Sequence, residues 1–167
     1  MNEQLYNKIS TWFRKSDVRL KLFVFAYRLL PYVTALGYAA SVIYEILYGA
    51  TKEIAGIILV PAVTFVICTI FRKIVNAKRP YEEMAIEPLI IKNKRGQSFP
   101  SRHMVSAGVI AMAALYVNTA FGIGMLAVAV SIGILRPIAG VHYIKDVIAG
   151  LAIGVLCGII GFYFILN

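Results

Sequence analysis

The chain has 167 residues, enough for one domain. It is 60% hydrophobic and only 15% charged, which excludes a disordered chain and a disulfide-stapled secreted module. The apolar share exceeds what a soluble domain of this size can bury, so composition predicts an integral membrane protein. With 17 basic against 8 acidic residues the net charge is +9. On a mostly apolar chain this excess points to anionic lipid or a phosphorylated substrate rather than to nucleic acid.

Residues 1–21 are polar and basic and carry Leu5, Ile9, Trp12 and Phe13 at roughly helical spacing. Trp12 among Lys8, Arg14, Lys15 and Arg19 predicts an amphipathic helix lying on a membrane surface. Leu22–Tyr48 is too long for a signal peptide and no small-residue cleavage site follows it, so it is expected to stay in the mature protein.

Uncharged runs mark the spans. Leu29–Tyr44 has 16 such residues, Ile54–Phe71 has 18 and Val147–Leu166 has 20, each near the roughly 20 that cross a bilayer. Met104–Leu135 is uncharged for 32 residues, too many for one ordinary span. Asn118-Thr119-Ala120-Phe121-Gly122 offers a turn within it, which predicts two helices over about 101–118 and 120–137. The expected fold class is therefore all-α: a membrane bundle of about five transmembrane helices with an amphipathic N-terminal helix. It forms a single domain over 1–167, with 1–21 interfacial and 72–102 as an active-site loop.

Glu45 lies within the first span, where it must face the bundle interior or lie near an interface. Gly150, Gly154 and Gly158 recur every fourth residue on the last span and predict close helix packing. Cys68 and Cys157 sit in apolar stretches and read as small apolar residues.

The polar stretch 72–102 carries Arg72, Lys73, Lys78, Arg79, Lys92, Lys94, Arg95 and Arg102. Both histidines of the chain stand at span ends. His103 follows Pro100-Ser101-Arg102, and His142 follows Arg136 by six residues. Asp146 comes four residues after His142, a spacing that puts both on one helix face. A carboxylate on one imidazole nitrogen fixes the tautomer and leaves the other nitrogen a free electron pair, as a nucleophile or base requires. Arg72, Arg79, Arg102 and Arg136 add planar forks suited to tetrahedral oxyanions. With five spans, the ends at 72–79, 100–103 and 136–146 fall on one membrane face.

This combination resembles the type 2 phosphatidic acid phosphatase family, related to vanadium-dependent haloperoxidases. Its three motifs match Arg72-x6-Arg79-Pro80, then Pro100-Ser101-Arg102-His103, then Leu135-Arg136-x5-His142-x3-Asp146. Three residues depart from the family pattern: Arg72 replaces Lys, with the adjacent Lys73 as an available substitute. Arg102 replaces Gly and Leu135 replaces Ser. The resemblance implies phosphoryl transfer in two steps with no metal and no cofactor. His142 would attack phosphorus, Asp146 would orient its ring, and His103 would protonate the leaving oxygen and then activate water. Arg72, Arg79, Ser101, Arg102 and Arg136 would bind the phosphate.

The expected partners are membrane lipids and a lipid phosphate substrate, such as phosphatidic acid, phosphatidylglycerol phosphate or undecaprenyl diphosphate. The sequence leaves the oligomeric state open. All basic residues but Lys52 fall on or near the side that carries the motifs and the N-terminus, which predicts a multi-pass cell-membrane protein with a cytoplasm-facing site. Many bacterial members of the family work on the outer face, so the two expectations conflict. Two other classes fit the same features: a non-catalytic lipid-phosphate binding or transport protein, and a vanadate-dependent haloperoxidase.

Overall fold

The computed structural model describes residues 2–165. Its helices are α1 (Glu3–Arg14), α2 (Asp17–Tyr48), α3 (Thr51–Val75), the single turn α4 (Pro80–Glu83), α5 (Arg102–Val117), α6 (Thr119–Ile138) and α7 (Ile144–Ile159). A π-helical turn, Ile160–Ile165, continues α7. No strand occurs among the described residues. Four helical segments are long and apolar enough to cross a membrane, and α5 is a shorter apolar helix.

The predicted turn lies where the long uncharged run required one. Asn118 ends α5 in an extended conformation and caps α6, its side chain accepting from the Phe121 N–H at 3.0 Å. A 16-residue helix such as α5 rises only about 24 Å, short of the roughly 30 Å hydrocarbon layer. It can be short because it is the central helix. Met104, Val105, Val109 and the alanines at 107, 111, 113 and 114 are all buried.

Against α5 packs α7, and small residues set their distance. A Cβ on Gly154 would lie 2.3 Å from the Val105 carbonyl oxygen, and one on Gly150 would lie 2.7 Å from that of Ser101. The glycine spacing thus lets the two backbones touch. The outer faces of α2, α3 and α7 expose large apolar side chains such as Leu36, Val66 and Ile148, as lipid-facing surfaces do. Cys68 is buried, and both cysteines are free thiols. Glu45 is buried one turn before the end of α2, with its carboxylate folded over Gly49. It is therefore both inside the bundle and near a helix end.

The expected N-terminal helix forms, and the face it turns inward is a polar one. Tyr6 and Ser10 are buried, whereas Leu5 and Trp12 are 49% and 53% exposed. Tyr6 explains the choice. Its hydroxyl accepts from the Leu89 N–H at 3.0 Å and donates to the Glu87 carbonyl at 3.3 Å, so a polar tip anchors the helix to the 84–101 loop. Gly140, at φ +78°, makes room: a Cβ there would lie 2.7 Å from the Tyr6 hydroxyl. Phe13 packs against Phe23 of α2 with the rings tilted and their centroids 4.9 Å apart. The Arg14 guanidinium pairs with the Glu87 carboxylate.

Candidate active site

The three motif segments meet where α3 ends and α5 and α7 begin, at the end of the bundle that also carries α1. Their backbones are cross-tied. The Ser101 N–H donates to the Asp146 carbonyl at 2.9 Å, joining the start of α5 to the first turn of α7. Glu82 accepts from the backbone N–H groups of Arg79 and Gly96 at 2.8 and 2.9 Å, clasping the two sides of the loop.

His142 lies in the turn before α7, and its Nδ1 is 3.5 Å from Asp146 Oδ2. The same oxygen accepts from Ser98 Oγ at 2.5 Å and from the Tyr143 N–H at 3.0 Å. Ser98 Oγ also stands 3.4 Å from His142 Nδ1. With Asp146 and Ser98 gathered on its Nδ1 side, the ring leaves Nε2 for a ligand. Burial pushes the His142 imidazole down to about 4; the Asp146 hydrogen bond opposes this, and the charges of Arg79 and Arg72 add to it. At neutral pH the ring is uncharged and its electron pair is available.

The four arginines are placed differently from one another. Buried Arg79 donates through Nε to the Gly96 carbonyl at 3.0 Å and through Nη1 to that of Val141 at 3.2 Å. Buried Arg136 donates through Nη1 to the Tyr27 hydroxyl at 2.7 Å, and its guanidinium carbon lies 4.4 Å from the centre of the Tyr27 ring. Each keeps donors on its remaining amine. Arg72 is committed elsewhere: its Nη1 donates to the Ser98 carbonyl at 3.2 Å and also to that of Pro100, and its Nη2 donates to that of Gln97. A fork holding three loop carbonyls shapes the 97–100 loop rather than lying open to an anion. Lys73, the expected substitute, is exposed. Arg102 points toward α3, its guanidinium carbon 5.3 Å from the centre of the Phe65 ring.

Among the described residues, two buried side-chain oxygens have no protein partner: Ser101 Oγ and Asp146 Oδ1. An orphaned buried hydroxyl costs about 1–3 kcal/mol unless a ligand or water satisfies it. Ser101 stands at the N-cap position of α5 with its hydroxyl uncommitted, and the N-terminal amides carry the positive end of the helix dipole, so an anion suits the place. His103, in the first turn of α5, lines a cavity of about 230 Å³ with Arg102, Pro31, Thr34, Phe65 and Ile110. One end of that cavity carries the histidine and an arginine, and the rest is mostly apolar. Among the described residues no three His, Cys, Asp or Glu side chains form a metal-binding group.

Leu135, at the family's serine position, packs with Phe23, Tyr27, Ala139 and Val141. Leu135 thus supports the seam between α2 and α6 beside Arg136. Sequence reasoning missed Ser98 and Tyr27. Ser98 stands three residues before Ser101 in Gln97-Ser98-Phe99-Pro100-Ser101, a weak signal. Tyr27 has none, because its role depends on α2 meeting α6.

A family model described as the PAP2 superfamily matches residues 53–167. The chain belongs to that superfamily. No curated protein matches it in sequence. Its fold is similar to the crystal structure of LpxE from Aquifex aeolicus, with a TM-score of 0.74 and 23% identity over 98% of this chain and 95% of that one. It is also similar to that of a transmembrane PAP2-type phosphatidylglycerolphosphate phosphatase from Bacillus subtilis. There the TM-score is 0.64, with 21% identity over 97% of this chain and 85% of that one.

Proposed function

We propose that this membrane protein is a lipid phosphatase that hydrolyses a phosphomonoester or diphosphate through a phosphohistidine. The observation that carries this reading is the neutral His142, held on its Nδ1 side by Asp146 and Ser98 beside the unpartnered Ser101 hydroxyl. In the first step His142 Nε2 bonds to phosphorus while the phosphorus–oxygen bond to the lipid breaks. His103 gives the departing oxygen its proton. In the second, His103 takes a proton from water, whose oxygen bonds to phosphorus as the phosphorus–nitrogen bond breaks. Inorganic phosphate leaves and both rings return to their starting state. Arg79, Arg136, Ser101 and Arg102 hold the equatorial oxygens, and Arg72 acts through the loop it clamps. These side chains supply the charge, and the reaction needs no metal.

The largely apolar cavity around His103 and Arg102 favours a lipid over a soluble phosphate, because it gives the tail a place beside the headgroup. LpxE and the phosphatidylglycerolphosphate phosphatase share its fold, and a lipid substrate is consistent with that company. Phosphatidic acid, phosphatidylglycerol phosphate and undecaprenyl diphosphate are the candidates to assay.

The test is phosphate release from that panel by detergent-purified protein in EDTA, beside His142→Ala. Release that survives EDTA and falls about 10³-fold or more in the variant is the expected result. Lipid binding without release would move the protein to the binding or transport class. Release that EDTA abolishes would refute the metal-free mechanism.

A further inference from the structure

The loop over the site carries a cation that none of the three motifs contains. Lys92 Nζ lies 5.8 Å from the centre of the Tyr27 ring, the ring over which Arg136 also lies. Around Lys92 stand Tyr27 from α2, Arg136 from α6, Arg102 and His103 from α5, and Arg79 and Lys94 from the loop side, and it lines a cleft with Lys78, Tyr81, Glu82 and Arg95. Glu82 is the one carboxylate among them, and it is engaged by the Arg79 and Gly96 N–H groups. Among the described residues the ion pairs are Arg14–Glu87 and His142–Asp146, so Lys92 has no acidic partner.

Its position is built. Three residues upstream, Tyr6 and Arg14 of α1 pin the loop at Glu87–Leu89. A half-buried lysine held among like charges destabilises the empty protein, and a bound anion would offset that cost. Meanwhile the motif position expected to supply a phosphate cation holds Arg72, whose fork is spent on the carbonyls of Gln97, Ser98 and Pro100. We infer that Lys92 is a ligand of the substrate's phosphate, supplying from the loop the cation that Arg72 withholds. A compact ammonium on a flexible stem binds phosphate oxygen as a point charge and can follow it as charge redistributes. Burial first, and then Arg136, Arg79 and Arg102, push the Lys92 ammonium down to about 8.

The inference rests on the phosphate site proposed above, and its test separates the two. Hydrolysis of dioctanoyl phosphatidic acid in mixed micelles is measured for wild type, Lys92→Gln, Lys92→Arg and Lys8→Gln. Lys8 is an exposed charge on α1 and controls for net charge. Lys92→Gln is expected to raise KM and the vanadate inhibition constant together by about tenfold or more, the worth of one charge-assisted hydrogen bond. Lys92→Arg restores both, and Lys8→Gln changes neither. Because the ammonium is lost as pH rises through about 8, wild-type KM should climb above that pH, while Lys92→Arg, charged throughout, should stay level. Unchanged KM and vanadate inhibition in Lys92→Gln would overturn the inference. So would a defect that arginine does not rescue.

Thermal stabilisation by inorganic phosphate tests the ligand role without turnover. Protection of wild type that is lost in Lys92→Gln supports it, even if no lipid is hydrolysed and the phosphatase reading falls. Equal protection of both, or protection of neither, refutes it.

Discussion

At the scale of single residues, the His142–Asp146 pair was legible because a four-residue spacing at a helix start has one geometric outcome. Its completion by Ser98 was not, since that contact spans 48 positions of sequence. If Ser98 holds the carboxylate that orients His142, Ser98→Ala should lower kcat about 10- to 100-fold, as expected for a lost hydrogen bond to a charged group. KM should stay near the wild-type value, and steady-state kinetics on the best lipid would show the split. The pH response follows from burial. With His142 held down at about 4 against roughly 6.5 in the unfolded chain, the neutral ring's contribution to stability is complete above pH 6.5. It is lost as pH falls toward 4. Melting temperatures over this window should fall more steeply for wild type than for His142→Gln, and parallel curves would contradict the assigned burial. The roles of Arg72 and Arg102 were beyond sequence reasoning for a common reason. A guanidinium motif specifies charge, whereas the carbonyls or ring that the side chain meets depend on loop path.

Among the helices, the sequence was most readable where one physical requirement dominated. Apolar length required spans, and Asn118 required a break between α5 and α6. The glycine stripe required a close neighbour, but could not name α5 as that neighbour. Naming it makes a sharp contrast available. Valine at Gly154 would drive a methyl group into the Val105 backbone, so the helices must part. Gly154→Val should destabilise the protein by about 3 kcal/mol or more, at the upper end of overpacking costs. A Cβ on Gly124 meets nothing within 4 Å, and Gly124→Ala should leave thermal stability unchanged or slightly raised. Detergent melts of the two variants compare the α5–α7 seam with a lipid-facing position. The N-terminal helix was legible as a helix, but the face it turns toward the protein was not. Helical periodicity grouped Leu5, Ile9, Trp12 and Phe13 as a stripe for the membrane surface, and the hydrogen-bonding capacity of Tyr6 decided which side faces the protein.

For the whole molecule, the arrangement of charge carries a claim about sidedness. The C-terminal end of α3 and the N-terminal ends of α5 and α7 share one end of the bundle with α1. Lys52 stands at the other end, at the start of α3. The basic residues on the site end include four arginines that the proposed chemistry would place there whatever the topology, and these say little about orientation. Lys8, Arg14, Lys15, Arg19 and Lys21 have no such duty. They crowd the start of α2, where short basic flanks govern insertion. We therefore expect the site to face the cytoplasm. In a variant without Cys68 and Cys157, single cysteines at Lys8 and Asn93 should be shielded from an impermeant maleimide in intact cells and react once the membrane is opened. A cysteine at Lys52 should react in intact cells. Labelling of positions 8 and 93 from outside, with 52 protected, would reverse the orientation while keeping the bundle. Labelling of 8 and 93 from opposite sides would contradict the fold itself, because Tyr6 and Leu89 are in direct contact.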